Sequence, residues 1–287
     1  MKALLRPGAI LAASFLILLA GAAILAPWLC SASPWEMLAR PLIPPFSDTG
    51  HWLGTDMLGR DVATGLLYGA RTSLTVGGLA TLATLLPALL IGAIAGYFGG
   101  WVDEVLMRIA ECFQIIPQLV LAVVLVALME PSVGSVVLAL ALVAWPPVAR
   151  LVRSEFMSLR QREFVQAALV LGQTPSRIVF TQILPNGLSP LLVSLTFILA
   201  AAILTEAALA FLGLGDPEAM SWGYMINASR NLLREAPSMS LLPGVAILLT
   251  VLSVQRIGEA VARIAADHRQ REPAHERETA GSMQPAH

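Results

Sequence analysis

Six stretches of the chain, residues 7–35, 72–102, 112–129, 131–149, 178–205 and 236–255, contain no Asp, Glu, Lys or Arg. Each is about as long as the roughly 17–25 residues that a helix needs to cross a bilayer. Charged residues make up 13% of the chain and apolar residues 56%, against roughly 25% charged in soluble domains, so a water-soluble fold is disfavoured. Backbone buried in lipid must find its hydrogen bonds within the protein, and uninterrupted apolar runs of this length fit helices. Hydropathy predicts helices at about 9–29, 74–97, 107–129, 133–151, 187–212 and 239–262: an all-α membrane protein with six transmembrane helices. The expected organisation is an N-terminal transmembrane helix and external loop over 1–73, a five-helix core over 74–266 with an internal loop at 152–186, and a disordered cytoplasmic tail over 267–287, which is polar and lacks large aliphatic residues.

An even number of spans puts both termini on one side. With the N-terminus inside, 13 of the 18 basic residues are cytoplasmic and five, Arg40, Arg60, Arg71, Arg230 and Arg234, are external; the excess of Lys and Arg inside favours that orientation. The first apolar run is too long for the 7–15-residue core of a cleavable signal and reads as a retained helix.

Other classes are disfavoured by what is missing. A net charge of −1 with no basic run gives no case for nucleic acid. Three of the four histidines fall in the C-terminal tail and Cys30 and Cys112 share no ligand spacing, so no metal site is expected and the cysteines read as small buried hydrophobes. The only lysine is Lys2, so the chain cannot carry a GxxxxGK[ST] phosphate loop. Any ATP that drives it binds to another subunit.

Gly92, Gly96 and Gly100 recur every fourth residue and predict a smooth strip for close helix packing, while Pro87, Pro117, Pro146, Pro147 and Pro243 predict kinks or breaks. Glu206 is the one ionisable residue between Ile178 and Gly215, and a charge in a span is a site candidate by default. It is expected near the external end of its helix, either on the translocation path or reaching water or an arginine such as Arg71. Gly54, Thr55, Asp56, Gly59, Arg60 and Asp61 form a charged, glycine-containing run read as a turn network in the external loop. Arg108 and Glu111, one helical turn apart, are expected to pair.

The stretch Glu163 to Gly172 carries Phe164, Ala167, Ala168 and Leu171 at i, i+3, i+4 and i+7, one stripe of a short helix. Gly172 can close it in a left-handed cap, and Thr174 with Pro175 can start the next helix. Small residues around one aromatic suit a helix that seats in a partner's groove. The same pattern also suits a loop helix packed on its own bundle.

These residues resemble the EAA loop of ABC-importer permeases: Ala167, Ala168, Gly172, Leu184 and Pro185 match its pattern in type and spacing, and Gln166 stands where that pattern has glutamate. Leu53-Gly-Thr-Asp-Met-Leu-Gly-Arg-Asp61 and Tyr68-Gly-Ala-Arg-Thr-Ser-Leu74, with Glu206-Ala-Ala-Leu-Ala-Phe-Leu-Gly-Leu-Gly215 and Ser221-Trp-Gly-Tyr-Met225, are similar to two further segments of the dipeptide, oligopeptide and nickel importer group, and specifically of its C-type permease. The resemblance implies a type I ABC-importer permease fold in a bacterial inner membrane and an ATPase-coupling helix built on Glu163, Phe164, Gln166, Ala167, Ala168, Leu171, Gly172 and Pro185. It also implies partners: a second, homologous permease, two ATPase subunits that bind ATP and Mg, and an external or periplasmic substrate-binding protein. No cofactor is expected in this chain. Peptide is favoured as cargo over nickel or a metal chelate, and an ATP-independent secondary transporter is the rival of another class. Gly213-Leu-Gly-Asp216 superficially matches an intramembrane aspartyl protease, but that chemistry needs two aspartates within the bilayer, and no aspartate falls inside an apolar span.

Overall fold

The computed structural model describes the backbone of residues 7–281 and all side chains within it except those of 188–190 and 265–281. The elements are α1 (Pro7–Leu29), α2 (Val62–Phe98), α3 (Gly100–Gln114), α4 (Gln118–Ala127), α5 (Val133–Arg160), α6 (Glu163–Val170), α7 (Pro175–Ile178), a π-helical turn (Val179–Ile183), α8 (Leu184–Phe211), α9 (Trp222–Ser229) and α10 (Ser238–Gly281). Among the described residues five helices are long and apolar enough to cross a membrane by themselves. A sixth crossing is available if α3 and α4, bent by 78°, count as one span.

The contacts at the two ends of the bundle decide the sixth crossing. Arg160, the last residue of α5, places its guanidinium over the Tyr97 ring and donates to the carbonyl of Phe98, the last residue of α2. At the opposite end the Trp222 indole donates to Leu66 O in the first turns of α2, and the amide of Val133, which opens α5, donates to Asp216. Since α2 ends at one face and α5 begins at the other, the bent pair α3–α4 carries the chain across.

That third span, expected as one helix over 107–129, is broken at Ile115–Pro117. Pro117 holds an extended ψ of 132° as the N-cap of α4, and it has no N–H with which to continue α3. The other prolines, Pro87, Pro146, Pro147 and Pro243, lie inside continuous helices.

A second difference concerns α2, which begins at Val62 rather than about 74. Hydropathy places the start after Arg71, the last charge, but the start is set by Asp61, whose carboxylate accepts from the backbone N–H and the hydroxyl of Thr64, a standard N-cap arrangement. The organisational boundary drawn at 73 therefore falls within a helix of 37 residues, about 55 Å long, well beyond the roughly 30 Å apolar core of a bilayer. The helix α5 likewise extends past 151, to Arg160. In α10 the helical backbone runs on to Gly281 with no break at 266; residues 282–287 of the expected tail lie outside the described residues.

Two of the three spaced glycines pack as expected. A Cβ at Gly92 would lie 2.5 Å from Ala149 O, and one at Gly96 would lie 2.6 Å from Arg153 O and 2.7 Å from the Phe156 Cβ, so α2 meets α5 at backbone distance. Gly100 does not join the strip. It has no atom within 4 Å of such a Cβ and sits at φ +57° as the first residue of α3, just after the break at Gly99.

Candidate functional site

Helix α6 projects from the end of the bundle where α2 and α5 terminate. Val165 and Ala168 are its inward residues, 0% and 4% exposed, and they pack with Ile178 and Ile183 against Tyr97, Val152, Phe156 and Leu159. One apolar cluster thus ties α6 to α2, α5 and the start of α8. The expected four-residue stripe is split: Phe164, Ala167 and Leu171 are exposed, whereas Ala168 is turned inward. At about 100° per residue Ala168 lies between Phe164 and Val165, and burial of Val165 draws it in. One face of this helix is therefore packed on its own bundle, and the opposite face is open. Val170, 89% exposed, completes the outer face beside Ala167 and Glu163; its place in a run of apolar residues gave no signal for exposure.

The loop closes as its residue types dictate. Gly172 sits at φ +72°, where the Gly172 and Gln173 amides donate to Leu169 O and Ala168 O, a left-handed helix cap. Thr174 occupies the N-cap position of α7 with Pro175 first in the helix, but the Thr174 hydroxyl meets Ser176 Oγ at 3.4 Å instead of capping a backbone amide. Pro185 is exposed in the first turn of α8. It offers no N–H to the preceding turn, and the chain there is π-helical, the Leu184 amide reaching back to Val179 O. The Gln166 side chain, also exposed, donates from Nε2 to Arg160 O at 2.9 Å.

At the opposite end the run from Gly54 to Asp61 is a closed turn. Asp56 Oδ1 accepts from the amides of Leu58 and Arg60, each at 2.8 Å, and Thr55 Oγ1 accepts from Ile43 N while donating to Arg40 O. Gly54 and Gly59 have φ of +80° and +77°, and a Cβ at either would fall about 2 Å from the carbonyl of Ile43 or Ala39. Arg60 then fastens the loop between α1 and α2 to α9: its guanidinium lies 4.8 Å from the Trp35 ring centroid and donates to the Tyr224 hydroxyl at 3.3 Å. Asp61 pairs with His51 at 3.2 Å.

Glu206 is 4% exposed and accepts from the Ser73 hydroxyl at 2.9 Å and from Ser221. Arg71, considered as its partner, is instead exposed on α2. Ser221 also caps α9 by accepting from Tyr224 N, so the carboxylate joins α2, α8 and α9. The same motifs supply the packing: Trp222 fills the space beside Gly69, and Gly223 lies against Ala207 of α8 with no room for a side chain. Glu206 lines a small, partly open recess together with Thr72, Val76, Val133, Val136, Asp216 and Ser221 among others, none of them basic.

Several pairings had no local signal in the sequence. Asp103 of α3 and Arg153 of α5 form a two-point ion pair across 50 positions. The Arg108–Glu111 pair was readable at helical spacing and is present at 3.3 Å; Arg150 adds to it from α5 at 3.8 Å. Cys112 is exposed and Cys30 partly so, against the expectation that both are buried; Cys112 lies on the outer face of the amphipathic α3. Among the described residues no cluster of His, Cys, Asp or Glu could hold a metal ion. Asp216 uses its carboxylate to hold the amides of Val133 and Glu218.

Residues 88–265 match the family model described as binding-protein-dependent transport system inner membrane component. The chain belongs to this family. The permease is 41% identical over 256 residues to the dipeptide transport system permease protein of Alkalihalophilus pseudofirmus, covering 88% of this chain and 82% of that one. It is 36% identical over 253 residues to the di/tripeptide transport system permease protein of Pseudomonas aeruginosa, with 86% and 84% covered. It is also 36% identical over 214 residues to the glutathione transport system permease protein of Pectobacterium atrosepticum, with 74% and 71% covered. Its fold matches a chain of the methionine ABC transporter MetNI in an inward-facing conformation, with a TM-score of 0.59 at 18% identity over 70% of the permease and 95% of that chain. The permease is thus a multi-pass membrane protein of the type I importer fold.

Proposed function

We propose that this permease forms one half of the translocation pathway of an ATP-driven importer of peptides. The observation that carries the reading is the two-sided α6: an outer face of Phe164, Ala167, Val170 and Leu171 left open, and an inner face of Val165 and Ala168 locked to three membrane helices. A helix built in this way can take up a push from outside and pass it to α2, α5 and α8 together. The pushing body would be one of two ATPase subunits, which bind the ATP and Mg that this chain has no phosphate loop to hold. A second, homologous permease completes the pathway, and an external binding protein delivers cargo to the end that carries the Gly54–Asp61 turn. Peptide as cargo is supported by the named substrates of the relatives above.

The excess of arginine at the α6 end supports an inner-membrane orientation with both termini and residues 152–186 in the cytoplasm. Glu206 is assigned to the path: a buried carboxylate with hydroxyl partners and no basic group on the wall of its recess suits a passing ammonium, which every free peptide carries at its N-terminus. Reconstitution of the permease with its genomic partners in proteoliposomes tests the whole reading. ATP-dependent uptake of a labelled dipeptide, lost when the binding protein is omitted, is the expected result. Uptake that persists without ATP and is driven by an ion gradient would establish a secondary transporter instead.

A further inference from the structure

Only Gln161 and Arg162 separate the end of α5 from the start of α6, so the angle between a membrane helix and the exposed loop helix is set across two residues. The last carbonyls of a helix lack donors from their own helix and lie at the negative end of its dipole. One of them, Arg160 O, receives the side-chain Nε2 of Gln166 at 2.9 Å. Two carbonyl oxygens cannot bond to each other, so the amide nitrogen must be the group that faces Arg160. A glutamate at 166 would have no proton to give and would bring a negative charge to the same carbonyl.

We propose that Gln166 is a positioning residue that braces the elbow between α5 and α6 through a neutral N–H···O bond to Arg160, rather than a contact to the ATPase. The proposal rests on reading α6 as the docking helix. A push on α6 displaces the bundle only if the elbow does not fold under it. The Gln166 bond closes the elbow on its exposed side, while Val165 and Ala168 close it on the buried side.

The test is the amount of dipeptide taken up per ATP hydrolysed by the reconstituted importer with dipeptide-loaded binding protein, for Gln166→Glu, Gln166→Leu and Gln166→Lys. Lysine is long enough to reach the carbonyl, donates, and is favoured at a helix C-terminus. The Glu and Leu variants are expected to copurify with the ATPases and to hydrolyse ATP, with uptake per ATP reduced at least fivefold, and the Lys variant to retain several times more than either. If Gln166 instead acts by touching the ATPase, the order reverses: the Glu variant keeps wild-type uptake and the Lys variant loses it. Loss of ATPase copurification in the Glu and Leu variants would equally overturn the brace, because the defect would then lie in the subunit contact. Ala167→Glu, run alongside, separates the two layers. Full copurification and uptake in that variant refutes α6 as the docking helix, whereas its expected loss together with a fully active Gln166→Glu refutes the brace alone.

Discussion

Ser73 donates its hydroxyl to the Glu206 carboxylate at 2.9 Å, a bond between α2 and α8 at positions 133 residues apart. Because Ser221 reaches the same carboxylate and caps α9, three helices meet on one acidic group. Glu206→Gln keeps an oxygen that can accept from both serines and should assemble normally. With the charge gone, dipeptide uptake is expected to fall about tenfold while the amount of purified complex is unchanged. Glu206→Ala removes the acceptor and leaves two buried hydroxyls unpaired, at roughly 1–3 kcal/mol for each such group, so the yield of folded protein should fall as well. Wild-type uptake by Glu206→Gln would remove this residue from the path and leave it a junction only.

The α2–α5 contact gives a second expectation, independent of any function. A Cβ at Gly96 would strike both the α5 backbone and the Phe156 side chain, and α5 can yield only by shifting as a whole. Gly96→Ala should therefore cost about 1–3 kcal/mol, the usual range for overpacking. Gly100 has open space and pays only for its left-handed φ, so Gly100→Ala should cost roughly 1 kcal/mol. Thermal unfolding of the detergent-solubilised protein, read by helical circular dichroism, ranks the two. A milder effect at Gly96 than at Gly100 would contradict the packing.

How much of this was legible in advance depends on whether the decisive contact is local. The Gly54–Asp61 turn and the Gly172 cap were readable because a glycine at positive φ and an aspartate accepting from nearby amides act within a few residues. The start of α2 was misplaced because hydropathy follows charge, whereas Asp61 starts a helix by capping it. The bend at Pro117 was announced by the proline, but its size is set by how α3 and α4 pack against α5. Ala168 was assigned to the wrong face because an alanine at the border of two faces goes wherever its larger neighbour, Val165, finds partners. Asp103–Arg153 and Arg60–Tyr224 join distant parts of the chain, so no spacing rule could pair them.

Orientation is checked by labelling. Ser47 and Ser158 are both exposed, so a cysteine at either position is accessible from its own side. Cys30 and Cys112, which are not buried, are first replaced by serine. A membrane-impermeant maleimide added to intact cells should label Ser47→Cys and leave Ser158→Cys unlabelled until the membrane is broken. The opposite pattern would invert the orientation drawn from the arginine distribution, and with it the assignment of α6 to the cytoplasm.

The outer face of α6 yields the sharpest contrast between neighbouring residues. Ala167 is exposed and Ala168 buried, although they are adjacent and identical in type. Ala167→Glu adds a charge that has water in the isolated permease, so insertion, folding and thermal stability should match wild type. In the importer the same charge would be buried without a partner in the ATPase groove, which costs several kcal/mol at a packed contact; copurification of the ATPase and dipeptide uptake should both be lost. Ala168→Glu forces its charge into the cluster of Ile178, Phe156 and Leu159, so it should lower thermal stability before any partner is present. Measuring unfolding and ATPase copurification on both variants separates a docking face from a packing face. Equal stability loss in the two would mean that both alanines serve the bundle and that the docking surface lies elsewhere on the cytoplasmic loops.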